Sequence, residues 1–299
     1  MAAPFPESTL ATPVPPPLPS LINARRLRAQ RLGRALRLWV PAGVLLLLLA
    51  ICFLLPLVVT LPSSTNGNII VNNEPPFSPG HWLGTNVQGV DIFSQLVYGG
   101  QVAIEISLAV TIVGMAIGCT LGIVAAYFGG WVDAVISRLL DILIAFPALV
   151  LALVIAEGLG PSETHVIAAL SVFSIPAFGR IARGATLTIR GLPYMTAARL
   201  CGTRAWRVIA RHILPNIMPG IVTFSLLGIG VVIILEGALD FLGYGIPAPE
   251  ASWGSMIASG QQVLTAQPEY VLIPSIVLLI TVVALNTLGD ALRERWGVQ

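Results

Sequence analysis

The residues able to do chemistry are few and scattered. His81, His165 and His212 lie in three separate segments, which gives no pair the spacing of a metal site. The cysteines are odd in number. Cys52 and Cys119 lie in apolar runs and Cys201 lies among arginines, so neither a disulfide framework nor a CxxC site is implied. All sixteen basic residues are arginine. A chain without lysine cannot build the GxxxxGK[ST] phosphate loop, whose lysine reaches the β- and γ-phosphates, and cannot form a lysine Schiff base. Ser171 and Ser174 follow His165, but nothing marks a nucleophile–base pair, and there is no HExxH. Glu105, Asp141 and Glu236 fall in or near apolar runs, where a carboxylate is a proton-relay candidate by default. The reading here is against that role. Glu105 and Glu236 are expected near an outer interface, and Asp141 is expected to pair with Arg138, three residues earlier.

One segment concentrates the remaining chemistry. Tyr194 to Pro215 reads YMTAARLCGTRAWRVIARHILP. It is too polar to span lipid and too rich in helix formers to be a simple turn. At about 100° per residue, Arg204, Arg207 and Arg211 share one face, with Arg199 at its edge. Ala198, Ala205, Val208 and Ile209 fall on the other. The pattern predicts two short helices lying along a membrane surface, with Gly202 at the bend and Pro215 opening the next span. Arginines so placed either fix topology and touch lipid headgroups or dock a partner.

The elements that must position this segment are membrane spans. The 299 residues are 56% hydrophobic and 10% charged, with mean hydropathy +0.87. A soluble domain carries about 25% charged residues, so lipid is the expected solvent. The net charge of +2 and the absence of a basic-aromatic patch argue against nucleic acid. Residues 1–20 hold seven prolines and read as a disordered tail. Six arginines, Arg25 to Arg37, complete an amino-terminal segment 1–37. A charge-free run over 38–61 follows, long enough to cross ~30 Å of hydrocarbon and longer than a secretory signal. Residues 62–99 are polar and read as an extracytoplasmic segment. Residues 100–299 then hold five more apolar runs: Gly100 to Tyr127, Trp131 to Ala156, Thr164 to Ala182, Ile217 to Leu235 and Tyr270 to Leu288. An Arg-rich interval over 184–215 lies among them.

Arginine sets the topology. Six precede the first span, Arg138 lies just after the second-to-third connection, seven lie from Arg180 to Arg211, and two follow the sixth span. With six spans, all four segments fall on one face. The loops 62–100, 157–163 and 240–268 carry acidic residues and no arginine. Both termini are therefore expected in the cytoplasm. Gly114, Gly118 and Gly122 recur every four residues on the second span, a spacing suited to close helix packing in lipid.

Here the sequence resembles a family. Thr196-Ala197-Ala198, then Gly202, then Ile213-Leu214-Pro215 is similar to the EAA loop of binding-protein-dependent ABC importer permeases. Thr196 replaces the usual Glu, and His212 stands where the consensus has isoleucine. HWLGTNVQGVDIFSQLVYGG (His81 to Gly100) resembles the LGTDxxGRDxxSRLxYG segment of the dipeptide/oligopeptide/nickel branch, in its second permease subunit. Asn86, Val90 and Gln95 replace an Asp and two Arg of that form. FLGYGIPAPEASWGSMI (Phe241 to Ile257) resembles the branch's FLGLGxxPPxPSWG signature. YFGGWVD (Tyr127 to Asp133) and LLDILIAFP after it fit too.

The resemblance implies an all-α, six-span type I permease with a cytoplasmic coupling helix, forming half of a peptide-conducting pore. It implies a sibling permease, two ATPase subunits or domains that bind ATP and Mg, an extracytoplasmic substrate-binding protein, and no cofactor in this chain. Thr196, Ala197, Ala198, Gly202, Arg204, Arg207, Arg211, Ile213, Leu214 and Pro215 are the expected coupling residues. Nickel or another small solute is the alternative cargo. An ion-gradient-driven transporter is the rival class; it would need internal repeats or broken helices with midplane ion ligands, and no repeat is found.

Overall fold

The computed structural model describes residues 21–247 and 249–297. The expected proline-rich tail over 1–20 lies outside the described residues, as do the side chains of the arginine run before Gly33 and of Arg34. The chain divides into two units, Met1–Leu36 and Arg37–Gln299, and the second holds the helical bundle.

Helix α1 (Leu21–Leu49) passes through a wide π-helical turn, Ala50–Leu54, into the short α2 (Leu55–Val58). Gln101 Nε2 donates to the Cys52 carbonyl in that turn at 2.6 Å. An outer lobe over residues 59–91 leads to α3 (Ile92–Val113), which continues through a π turn at Gly114–Gly118 into α4 (Cys119–Phe128). Helices α5 (Gly130–Ile144), α6 (Ala148–Leu159) and α7 (Glu163–Arg190) follow. Then come α8 (Pro193–Leu200), α9 (Ala205–Val208), a third π turn at Ile209–Ile213, and α10 (Leu214–Phe241). The chain closes with α11 (Trp253–Gly260) and α12 (Glu269–Trp296). The described residues form no strand, only isolated bridges such as Thr85–Asp91.

Among the described residues, five helical stretches are long and apolar enough to cross a bilayer: Ala35–Val58, Ile92–Phe128, Glu163–Arg190, Ala205–Phe241 and Glu269–Trp296. The run expected as one straight third span is broken instead. Helices α5 and α6 meet at 84°. Pro147 is the cause: it has no N–H to donate, and its ring disfavours helical backbone at Phe146.

Close packing follows the glycine stripe. Gly114, Gly118 and Gly122 face α7 at Ser174, Phe178 and Gly179 with no room for a side chain. Lipid gives helices no hydrophobic reason to associate, so this close backbone approach supplies the contact. A second layer packs Ile106 and Val110 of α3 on Val166 and Leu170 of α7 and Leu239 of α10. A third, under the outer lobe, holds Trp253, Met256 and Tyr270.

Trp253 is 1% exposed and donates Nε1–H to the Leu96 carbonyl at 2.9 Å. Glu236 is enclosed in the bundle, one turn from the end of α10. Asp240, one turn on, accepts from Ile246 N–H at 2.7 Å and from the Ser252 hydroxyl, and so ties down the loop before α11. Ser252 also caps α11 by accepting from Ser255 N–H.

Candidate functional site

The arginine-bearing end of the bundle is stitched together by charge. Arg183 on α7 makes a two-pronged pair with Asp133 in the first turn of α5, at 2.6 and 2.7 Å. Ser137 donates to the same carboxylate at 3.0 Å. Planar guanidinium and carboxylate match in this geometry, which fixes orientation as well as distance. Arg180 pairs with Asp141 at 2.8 Å. Asp141 therefore pairs across helices rather than with Arg138 on its own helix, because α7 offers a cation directly opposite. Arg190 Nη1 donates to the Ala126 carbonyl at 2.8 Å, at the end of α4 where helix carbonyls lack partners. Gly129, at φ +68°, leaves room for it: a Cβ there would stand 2.9 Å from Nη1.

The hairpin rests on this end. Pro193 opens α8, where a missing N–H is harmless. Gly202 ends it at φ +71°, a left-handed conformation that glycine adopts without penalty, and donates to the Arg199 carbonyl at 2.9 Å. Arg204 is extended, and α9 begins at Ala205. The second short helix is not separate, as expected, but runs through the π turn into α10. Pro215 therefore lies inside one continuous helix, Ala205–Phe241. Leu214 N–H already reaches back five residues to Ile209, so the N–H that proline lacks interrupts no regular ladder.

Burial divides the expected coupling residues into two sets. Thr196, Ala197, Gly202, Arg204, Arg207, Arg211, Leu214 and Pro215 are exposed, and Ala198 is half-buried. Ile213 is wholly enclosed, and His212 lies at the edge, 6.3 Å from the Tyr194 ring. Met195 and Val208, which the sequence pattern did not single out as site residues, join Ile213 as the feet of the hairpin. All three belong to one buried cluster with Ile123 of α4 and Phe178 and Ala182 of α7. Arg199 sits over the Tyr127 ring at 5.4 Å and adds a cation–π tie to α4.

Two outward-facing residues were also missed. Leu200 is 84% exposed and Trp206 is 61% exposed, with Arg207 over the indole ring. The available signal was a large apolar side chain on each side of Gly202 within an arginine run. At the opposite end, the outer lobe presents Ile69, Ile70 and Phe77 to solvent. Among the described residues no cluster of His, Cys, Asp or Glu is disposed to hold a metal ion.

Cations and large apolar side chains thus share the exposed surface of the hairpin. Comparison with known proteins gives the family. Residues 118–296 match the family described as binding-protein-dependent transport system inner membrane component. The chain is 38% identical over 256 residues to the glutathione transport system permease protein GsiD of Pectobacterium atrosepticum, covering 85% of each. It is 37% identical over 214 residues to the dipeptide transport system permease protein DppC of Alkalihalophilus pseudofirmus, covering 72% of this chain and 70% of the relative. It is 37% identical over 219 residues to the probable D,D-dipeptide transport system permease protein DdpC of Escherichia coli, covering 73% and 74%. In fold it is similar to a chain of the inward-facing MetNI methionine ABC transporter, with TM-score 0.57 and 18% identity, over 68% of this chain and 97% of that one. The chain therefore belongs to the inner-membrane permeases of binding-protein-dependent ABC importers, a family of multi-pass, non-catalytic transport subunits that work with an ATPase and a substrate-binding protein.

Proposed function

We propose that this chain is half of the pore of a peptide importer. It works with a sibling permease, two ATPase subunits that bind ATP and Mg, and an extracytoplasmic binding protein that delivers cargo. The arginine partition puts the hairpin in the cytoplasm, where the ATPase is. The observation that carries the reading is the hairpin's two-sided build. Leu200, Trp206 and three arginines face outward, while Met195, Val208 and Ile213 are locked into α4 and α7.

Mechanism follows from that build. When ATP binding closes the two ATPases, a helix held by one of them is displaced. Its feet, the Arg183–Asp133 pair and Arg190 carry the displacement into α4, α5 and α7 together. Lipid forbids unpaired backbone, so the helices move as a rigid group against the sibling subunit. The cavity then opens outward, and hydrolysis resets it. Peptide as cargo rests on relatives named for glutathione and dipeptide transport.

Affinity-tagged protein extracted gently from native membranes tests this. Wild type should bring down a second permease and an ATPase in fixed ratio. Leu200→Asp, at an exposed position, should keep the permease and lose the ATPase. In vesicles, uptake of di- and tripeptides should require ATP. A chain that purifies alone and transports without ATP would overturn the reading.

A further inference from the structure

Among the membrane-crossing stretches of the described residues, the first, Ala35–Val58, is the least embedded. Only 11% of its most apolar window is buried, against 28–50% for the other four. Val44, Leu47, Leu48, Ile51 and Cys52 recur at helical spacing and share the face that this span turns toward the bundle. At its outer end that face fits closely. A Cβ on Gly100 would stand 2.6 Å from Cys52 Sγ and 2.9 Å from the Trp253 ring, and Gln101 donates to the Cys52 carbonyl at 2.6 Å.

Elsewhere along the face the walls part. A cavity of about 230 Å³ separates it from Phe93 and Val97 of α3, Trp253 of α11, and Val277 and Ile280 of α12. Leu47 on one wall is 62% exposed and Ile280 on the other is 46% exposed, so these two apolar faces are aligned but do not meet.

The lining selects the occupant. Among the described residues no hydroxyl, amide or charged side chain lines the slot, and Trp253 Nε1–H already donates to the Leu96 carbonyl. A buried water needs polar partners, so this slot stays dry. Left empty, its walls lose the dispersion contacts of a packed interior. A helix of the sibling subunit, about 10–12 Å across, is too thick for a gap of this volume. A lipid acyl chain is thin, wholly apolar and abundant between membrane spans.

The slot also opens in the right order for a lipid. Phe93 is shared with a second cavity of about 200 Å³, further out along the same chain at Leu55 and Val59 to Pro62. There Thr60 and Asp91 bring polar groups into the lining, and Trp82 stands with its ring 5.3 Å from that of Phe93. Tryptophan favours the boundary between hydrocarbon and headgroups. An apolar slot passing into a polar mouth edged by tryptophan matches a phospholipid with its tail inward and its head outward.

We infer that an acyl chain of a phospholipid, from the leaflet on the side of the outer lobe, fills this slot as a fixed part of the subunit. It joins the first span to the bundle where side chains of the protein do not.

The test uses the complete importer in nanodiscs that contain a phospholipid with a diazirine midway along one acyl chain. After illumination, mass spectrometry maps the adducts. A chain in the slot touches protein on about three sides and a chain on the open surface on about one, so Leu47, Ile51 and Ile280 should be labelled about threefold more than Leu46, Leu272 and Leu279, which lie outside the slot. Two variants fill the slot from opposite walls at partly exposed positions. Ile280→Trp should cut labelling of Leu47 and Ile51 by about threefold, and Leu47→Trp should do the same for Ile280, with Leu46 and Leu279 unchanged. After detergent washing, native mass spectrometry should find phospholipid retained by wild type and lost from both variants. Equal labelling of slot and surface that neither tryptophan alters would mean ordinary boundary lipid only, and overturns the inference. So does an unlabelled slot, which would mean that side chains of the sibling subunit fill it, and so does equal lipid retention by wild type and variants.

Discussion

Gly118→Ala is the smallest change that tests how the bundle is held. A Cβ at Gly118 would overlap the Ile175 carbonyl and stand 2.9 Å from Phe178 Cβ and 3.0 Å from Gly179 N. Ordinary contact begins at 3.4 Å, so these neighbours are short by about 0.4–0.5 Å, and two of the three contacts are backbone atoms that cannot rotate away. The α4 and α7 helices must part. Overpacking of this kind costs ~1–3 kcal/mol. At roughly 2–4 °C per kcal/mol for a chain of this size class, the melting temperature should fall by about 2–12 °C. The assay is thermal unfolding of the purified complex in nanodiscs, read by loss of monodisperse protein. Gly184→Ala, on α7 itself, is the control. Nothing lies within 4 Å of a Cβ there, and alanine is the better helix former, so that variant should melt at or above wild type. Equal melting of Gly118→Ala and Gly184→Ala would refute the claim that the glycine stripe is a close-contact seam.

Three further outcomes follow from the site geometry. In a double-mutant cycle on thermal stability, Asp133→Asn and Arg183→Gln should show a coupling of about 1 kcal/mol, since the pair is partly exposed and screened by water; additive effects would mean the pair holds nothing. Gly202→Ala should cost about 1 kcal/mol purely through its left-handed backbone, because no atom lies near its Cβ, while Gly202→Asn should cost less; equal effects in unfolding experiments would point to a steric cause. Asn86→Asp alone should destabilise the outer lobe by ~1–3 kcal/mol, since it leaves the Gln95 and Tyr270 acceptors without their donor. Gln95→Arg should rescue it, which hydrogen exchange over residues 62–91 would reveal.

Much of this architecture was legible in hydropathy, because a chain in lipid must form long apolar helices wherever it crosses. The arginine partition and the EAA-like hairpin were legible for the same reason: exposed charge has few places to go. What was not legible depended on three-dimensional neighbours. Asp141 has Arg138 on its own helix, but only the fold shows Arg180 opposite. Pro147 was visible as a breaker, yet an apolar run on both sides of it read as continuous. Met195 looked like any hydrophobic residue in an amphipathic pattern until the fold placed it beneath the hairpin. Asn86 read as a substituted position, and its role as the hub of the outer lobe appeared only with its four partners in place.

The contact between Arg190 and the Ala126 carbonyl also settles a question of parity. It joins the end of α4 to the end of α7, so those two points lie on one side of the membrane. Between them the chain runs through the bent α5–α6 pair and then once across as α7. A return to the starting side requires an even number of crossings, so the bent pair must supply an odd one. It is a kinked traverse, not a re-entrant loop that dips in and comes back. Arg37 and Glu294, 3.8 Å apart, give the same answer for the bundle from end to end. Reporters inserted at Gly129 and Gly160 must then report opposite compartments.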